Sequence, residues 1–285
     1  MEIARPPDAG TFLEIAGPLL ERDEARNQLA LGIAGSATEN PDAYETARFW
    51  AVTEREEPVA AALRTPPYDL VLADPLSPTA LRAVLEAVAV DDPDVPGVIG
   101  NMPHVEEAAR VLAAATGRRA EQTISQGVYA LRWVRDGARA SGAAIPASGG
   151  DRDLVRRWLI DFLVEAVPEP MRHTDQVDRN LDTRFSSADA GFWLWRDDER
   201  PVSLAGYSGR TPTGIRVGPV YTPPEFRRRG YATALVAELS GWLLRRGHRS
   251  VFLFTDLSNP TSNRIYTDVG YERVADSAVF NFRRD

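Results

Sequence analysis

Two landmarks, Phe49-Trp50 and Pro58-Val59, return at one common offset as Phe192-Trp193 and Pro201-Val202, and the same offset carries Asp8 onto Asp151. A chain that repeats its landmarks this way is expected to fold as two related units in tandem. The length of 285 residues agrees, at about 150 residues per domain. Each landmark belongs to a comparable run: a helical pattern (Phe12, Ile15, Leu19, then Leu29; and Leu154, Trp158, Leu159, Phe162), a second polar helix, then a Phe-Trp strand that turns at a charged tip into a Pro-Val strand. Each half also ends in an aromatic strand, at 128–134 and 278–283. Between them 136–150 (DGARASGAAIPASGG) has the small-residue composition of a flexible linker, which sets the expected units at 1–135 and 151–285, both α/β.

Composition removes several kinds of protein. The balance of 33 Lys plus Arg against 41 Asp plus Glu gives a net charge of −8, which argues against coating nucleic acid or anionic membrane. Hydrophobic residues at 44% are enough to bury ordinary cores. Without cysteine there is no disulfide framework, thiol nucleophile or thiolate metal site, and three histidines at 104, 173 and 248 stand too far apart for a local metal motif. The opening residues 1–10 offer no apolar core of signal-peptide length, and no stretch approaches about 18 uninterrupted apolar residues. The expected compartment is the cytoplasm.

The second half is the more readable. Strands are predicted over 192–195, 202–207 and 214–221, with a proline break at Thr222-Pro223-Pro224. From Tyr231 the apolar positions Ala232, Leu235, Val236, Leu239, Trp242 and Leu243 trace one face of a helix that closes near Gly247. A buried strand follows at 250–255, then a short helix opened by Ser258-Asn259-Pro260 and ended by Gly270. At the junction of the third strand with its helix stands Arg227-Arg228-Arg229-Gly230-Tyr231-Ala232. Amides opening a helix lack intrahelical acceptors and, with the helix dipole, hold anionic oxygens such as a pyrophosphate. Gly230 permits close approach, Ala232 keeps the way open, and three arginines add charge. On the later helix Asn259, Ser262 and Tyr266 fall at i, i+3 and i+7, on one face.

The R-x-x-G-x-A string between strand and helix, with Asn259 and Tyr266 after the next strand, resembles the GNAT family of acetyl-CoA-dependent N-acetyltransferases. The resemblance covers about 151–282 and is densest at 220–235 (VYTPPEFRRRGYATAL) and 254–271 (FTDLSNPTSNRIYTDVGY). It implies two tandem domains, each with a mixed, mostly antiparallel central sheet flanked by helices. By the same resemblance the main chain at Val220, Tyr221 and Thr222 receives the pantetheine arm between splayed strands, and Arg227, Arg228, Arg229, Gly230, Tyr231, Ala232 and Thr233 cradle the pyrophosphate. Asn259 and Ser262 become polar contacts to coenzyme A. Tyr266 becomes the acid that meets the departing thiolate, the alternative being a helix residue packed on the sheet. For Asn259 the alternative is a plain helix cap, and both roles can hold together.

The implied reaction is direct attack of a neutral amine, on a small molecule or a peptide, on the thioester carbonyl, with a backbone amide near Val220 meeting the oxyanion. Relatives often carry a Glu on the strand before the signature, but 214–221 has no carboxylate, so the base stays unassigned. Asp256 is a candidate through water, or else a turn residue, and His173 and the charged segment 167–185 are more simply exposed surface. The first half has no R-x-x-G-x-A near 74–85, where Pro78 is expected to interrupt the turn, and no counterpart of Asn259 and Tyr266, so it reads as a degenerate GNAT-like half beside a catalytic one. The missing strand carboxylate leaves a second function open, a non-catalytic acyl-CoA-binding protein that acts as a sensor or on a partner.

Overall fold

The computed structural model describes residues 1–41, 44 and 46–284. In chain order the first half supplies β1 (Glu2–Ala4), α1 (Ala9–Leu20), α2 (Glu24–Glu39), β2 (Arg48–Glu54), β3 (Glu57–Arg64) and β4 (Leu70–Leu72). Then come α3 (Pro78–Asp91), β5 (Gly97–Asn101), α4 (His104–Ala115) and β6 (Arg119–Leu131). The second half supplies β7 (Ala143–Pro146), α5 (Arg152–Ala166), α6 (Val177–Ser186), β8 (Gly191–Asp197), β9 (Arg200–Ser208) and β10 (Gly214–Tyr221). It ends with α7 (Tyr231–Arg245), β11 (Ser250–Asp256), α8 (Pro260–Val269) and β12 (Glu272–Arg283). No helix among the described residues is long and apolar enough to cross a membrane.

The chain divides into two compact units. The first takes Met1–Val128, Asp256–Ser258 and the chain from Arg273 onward. Its strands β1, β2, β3 and β4 pair antiparallel in sequence, β4 and β5 run parallel, and β12 closes antiparallel on β5. Helix α1 starts where the Asp8 carboxylate accepts the Thr11 N–H at 2.8 Å, and it buries Phe12, Ala16 and Leu19. Pro78 does not interrupt its turn: it is the first residue of α3, where a missing N–H costs nothing, behind the Ser77 cap.

The second unit takes Tyr129–Thr255 and Asn259–Glu272. Strands β7, β8, β9 and β10 pair antiparallel in order, and β11 joins β10 in parallel. Helix α7 packs on one face of this sheet and α5 with α6 on the other, each over its own apolar cluster. Both units are therefore mixed, mostly antiparallel sheets flanked by helices.

Two segments lie elsewhere than the sequence boundaries set them. The stretch 136–150, expected as a linker, carries β7 and belongs to the second unit, where Ala143 to Pro146 pair with Arg196 to Trp193 and the Trp195 indole donates to the Ser141 carbonyl at 2.7 Å. The closing strand 278–283, expected in the second unit, is part of β12 in the first. Alternation explains why it fits: Ala278, Phe280 and Phe282 share the buried face of the first unit's core. Gly97 makes room, since a Cβ there would stand 2.4 Å from the Phe280 carbonyl oxygen.

Asp69, just before β4, and Asn281 of β12 meet across the first residues of β5 and hold a poised acid. Burial pushes the Asp69 carboxyl up to about 6, against a donated bond from the Asn281 amide at 3.3 Å and the charge of Arg64. A carboxyl raised in the folded state adds stability below its unfolded value near 3.8, and that stability is lost as pH rises through about 6. Asp69→Asn is expected to be neutral at pH 4 and to stabilise the chain by about 1–3 kcal/mol at pH 8. Denaturant melts of both proteins at the two pH values test this, and equal stability at pH 8 would refute it.

Candidate functional site

The second unit opens its sheet at one point. The parallel ladder of β10 with β11 runs over Gly214–Arg216 and Ser250–Phe252, whereas β10 continues to Tyr221 and β11 to Asp256. Beyond Arg216 the described residues of β10 therefore have no β11 partner, which leaves backbone free for an extended ligand. On its other edge β10 slips against β9 between Val217 and Val220, a bulge that turns the strand.

Strand β10 runs on to the start of α7. Arg228 and Gly230 take left-handed backbone, φ 62° and 81°, and Gly230 caps the helix without any side-chain oxygen. The first intrahelical bond is Ala234 N–H to the Gly230 carbonyl, so the amides of Tyr231, Ala232 and Thr233 open toward the helix end with no intrahelical acceptor. A Cβ on Gly230 would stand 3.5 Å from the Arg139 carbonyl oxygen, so the backbone there is approachable. Arg228 and Arg229 are exposed beside it.

The expected site residues separate into groups. Val220 is half-buried on the α7 side of the sheet. Tyr221 faces the other way, 6.4 Å from Trp158 of α5, and burial together with Asp161 and Glu165 raises its phenol above the usual range. The Thr222 hydroxyl bonds Ser203 at 2.8 Å, and its carbonyl accepts from Arg227 Nε at 2.8 Å. Arg227 also pairs with Glu165 at 2.6 Å, so of the three arginines it is the one tied sideways. Tyr231 is buried and donates its phenol to Asp197, whose carboxyl is held low by that bond and by Ser141. Only its main chain faces the open helix start. Ala232 and Thr233 are half-buried on the first turn.

On α8 the Asn259 side chain accepts the Ser262 N–H at 3.1 Å, a helix cap, with Ser262 half-buried above it. Tyr266 is 8% exposed with its ring edge-on to Tyr271 at 5.9 Å, and burial pushes its phenol up to about 12. Asp256 accepts the Ser258 N–H at 2.8 Å, as a turn residue does, and His173 opens the short turn Thr174–Gln176. Asp197, Ser203, Glu165 and Arg184 join the site through contacts that no local sequence pattern marks.

The corresponding place in the first unit is built shut. Ser77 caps α3, its hydroxyl accepting the Ala80 N–H at 3.1 Å, so the amide end is already filled. Asn101, at the end of β5, donates to Asp74 at 3.0 Å and to the Arg26 carbonyl at 2.9 Å, and Arg26 pairs with Asp74. Side chains thus lace together the ends of β4 and β5.

A splayed parallel pair, a bulged strand and an uncapped helix start define the site's α/β architecture, and the comparisons give it a family. Residues 153–271 match the model of the Acetyltransferase (GNAT) family, and this segment is a GNAT domain. Among solved structures, a tandem GNAT protein from the clavulanic acid biosynthesis pathway is 14% identical over 99% of this chain and 98% of its own, with a TM-score of 0.59. A GCN5-related N-acetyltransferase from Sphaerobacter thermophilus is 20% identical over 98% and 94%, with a TM-score of 0.57. A Drosophila protein is 10% identical over 99% of each chain, with a TM-score of 0.71. At these identities the likeness is one of fold alone, and the tandem protein supports a two-domain GNAT fold for this chain. Among curated proteins, none matches the chain.

Proposed function

We propose that the chain is an acetyl-CoA-dependent N-acetyltransferase whose second unit transfers an acetyl group to a primary amine. The observation that carries this reading is the continuity of the open edge of β10 with the uncapped start of α7, where three amides without intrahelical acceptors stand beside exposed Arg228 and Arg229. That arrangement suits a ligand with a strand-like arm and a pyrophosphate. The main chain at Val220, Tyr221 and Thr222 lines the arm, and Gly230 to Thr233 face the phosphates. Attack of the amine nitrogen on the thioester carbon forms the C–N bond and breaks the C–S bond, with the Val220 N–H against the oxygen where charge develops. Tyr266, neutral well above pH 7, holds the proton that the departing thiolate needs. The described residues of β10 bring no carboxylate, so the amine's proton leaves through water or another group.

Titration of the full chain with acetyl-CoA by calorimetry tests the reading, and one site per chain is expected because Ser77 and the Asp74–Asn101 link close the first unit. Two sites would contradict the account of the first unit, and no binding would overturn the function. Thiol release with an amine library then separates an enzyme from a silent acyl-CoA-binding protein, the second reading that the missing carboxylate favours.

A further inference from the structure

Helix α6 reaches the bulge of β10 through one side chain. Arg184 Nη1 donates to the Gly218 carbonyl at 3.0 Å, and its guanidinium lies 5.1 Å over the Phe192 ring. It rests on the sheet at Gly206 of β9, where a Cβ would stand 2.6 Å from Nη1 and 3.0 Å from the Gly218 oxygen. Gly218 lies inside the slipped register between Val217 and Val220, with φ 146°, so the ladder does not claim its carbonyl and Arg184 does.

We propose that Arg184 is a positioning residue for the Val220 N–H, an inference that rests on the acetyltransferase reading above. Arg184 fixes the plane of the peptide between Gly218 and Pro219. The proline ring locks the next φ, which leaves the ψ of Pro219 as the one soft torsion before the Val220 amide. An anchored carbonyl two residues upstream therefore sets where that N–H points. An oxyanion donor must be aimed before charge develops: the pairing of Val220 with Ala205 holds the downstream side of the bulge, and Arg184 holds the upstream side, without which the peptide entering Val220 could tilt. Arg184 touches no reacting atom in this scheme. Gly206 belongs to the same device, since any larger residue would push the guanidinium off the sheet.

The test needs no acceptor. The full chain is labelled with 15N-valine, the Val220 amide is assigned by its loss in Val220→Ile, and its position is compared between the CoA-bound and acetyl-CoA-bound forms. The wild-type amide is expected to move when the acetyl group is present, because the thioester oxygen then lies against it. Arg184→Met and, independently, Gly206→Ala are each expected to bind both ligands within about threefold of wild type by calorimetry while losing more than half of that acetyl-dependent movement. The double variant is expected to lose no more than either single one. Arg184→Lys, which keeps a donor of shorter reach, is expected to restore part of the movement. Full movement in Arg184→Met with acetyl-CoA bound overturns the positioning role and leaves the acetyltransferase reading standing. Absence of binding by the wild type overturns both.

Discussion

Gly230→Asp is expected to weaken acetyl-CoA binding at least about a hundredfold while leaving the fold in place. The position is exposed, its backbone sits at φ 81°, and the nearest atom to a new Cβ is the Arg139 carbonyl oxygen at 3.5 Å, an ordinary contact. Among L-residues Asp and Asn visit left-handed backbone most readily, so the strain is on the order of 1 kcal/mol. A carboxylate about 4 Å from a phosphate costs roughly 4 kcal/mol at the effective dielectric of a protein surface, close to a thousandfold in affinity. Charge therefore outweighs strain. Gly230→Asn carries the same strain without the charge and is expected to lose about tenfold or less, so the difference between the two variants isolates the phosphate contact. Calorimetry with acetyl-CoA, beside thermal melts of the three proteins, reads both quantities. If Gly230→Asp binds as tightly as Gly230→Asn, the pyrophosphate does not lie at the start of α7.

What the sequence made legible is what nearest neighbours along the chain decide. Strand 214–221 and the helix from Tyr231 are found where periodicity and Pro223-Pro224 set them, and Asn259 and Gly270 bound α8 as cap residues should. The glycine of the R-x-x-G-x-A string proves to be a left-handed helix cap, a property of its missing Cβ. Partnership across the chain was not legible. The bonds Tyr231–Asp197 and Arg184–Gly218 each span 34 residues and Arg227–Glu165 spans 62, and no local pattern distinguishes those acids and arginines from solvated ones. For that reason Tyr231 and Arg227 read as ligand contacts, although the structure turns one side chain into the core and ties the other to α5. Strand β12 teaches the same point. Alternation showed that 278–283 has a buried face, but nothing in an alternating pattern says which sheet edge will cover it.

Tyr266→Phe is expected to lower thiol release with an amine acceptor by at least about tenfold and to leave acetyl-CoA affinity within about threefold. Phe keeps the ring and its edge-on packing against Tyr271, so the substitution removes a proton donor and little else. The phenol suits that role because burial raises it from 10 to about 12, so it still carries its proton at every pH where the amine is free to attack. Wild-type turnover should accordingly show no decline from Tyr266 below about pH 10. The same shift has a sign in stability. A tyrosine raised by folding contributes stability below its unfolded value of 10, and that contribution is lost as pH rises from 10 through about 12. Tyr266→Phe should therefore lose less stability than wild type between pH 9 and 11, a readout independent of any acceptor. Burial alone predicts the gentler alkaline melt, whereas the acid role also predicts the fall in turnover. A variant with the gentler melt and unchanged turnover from pH 6 to 10 would make Tyr266 a packed helix residue and return the leaving thiolate's proton to solvent.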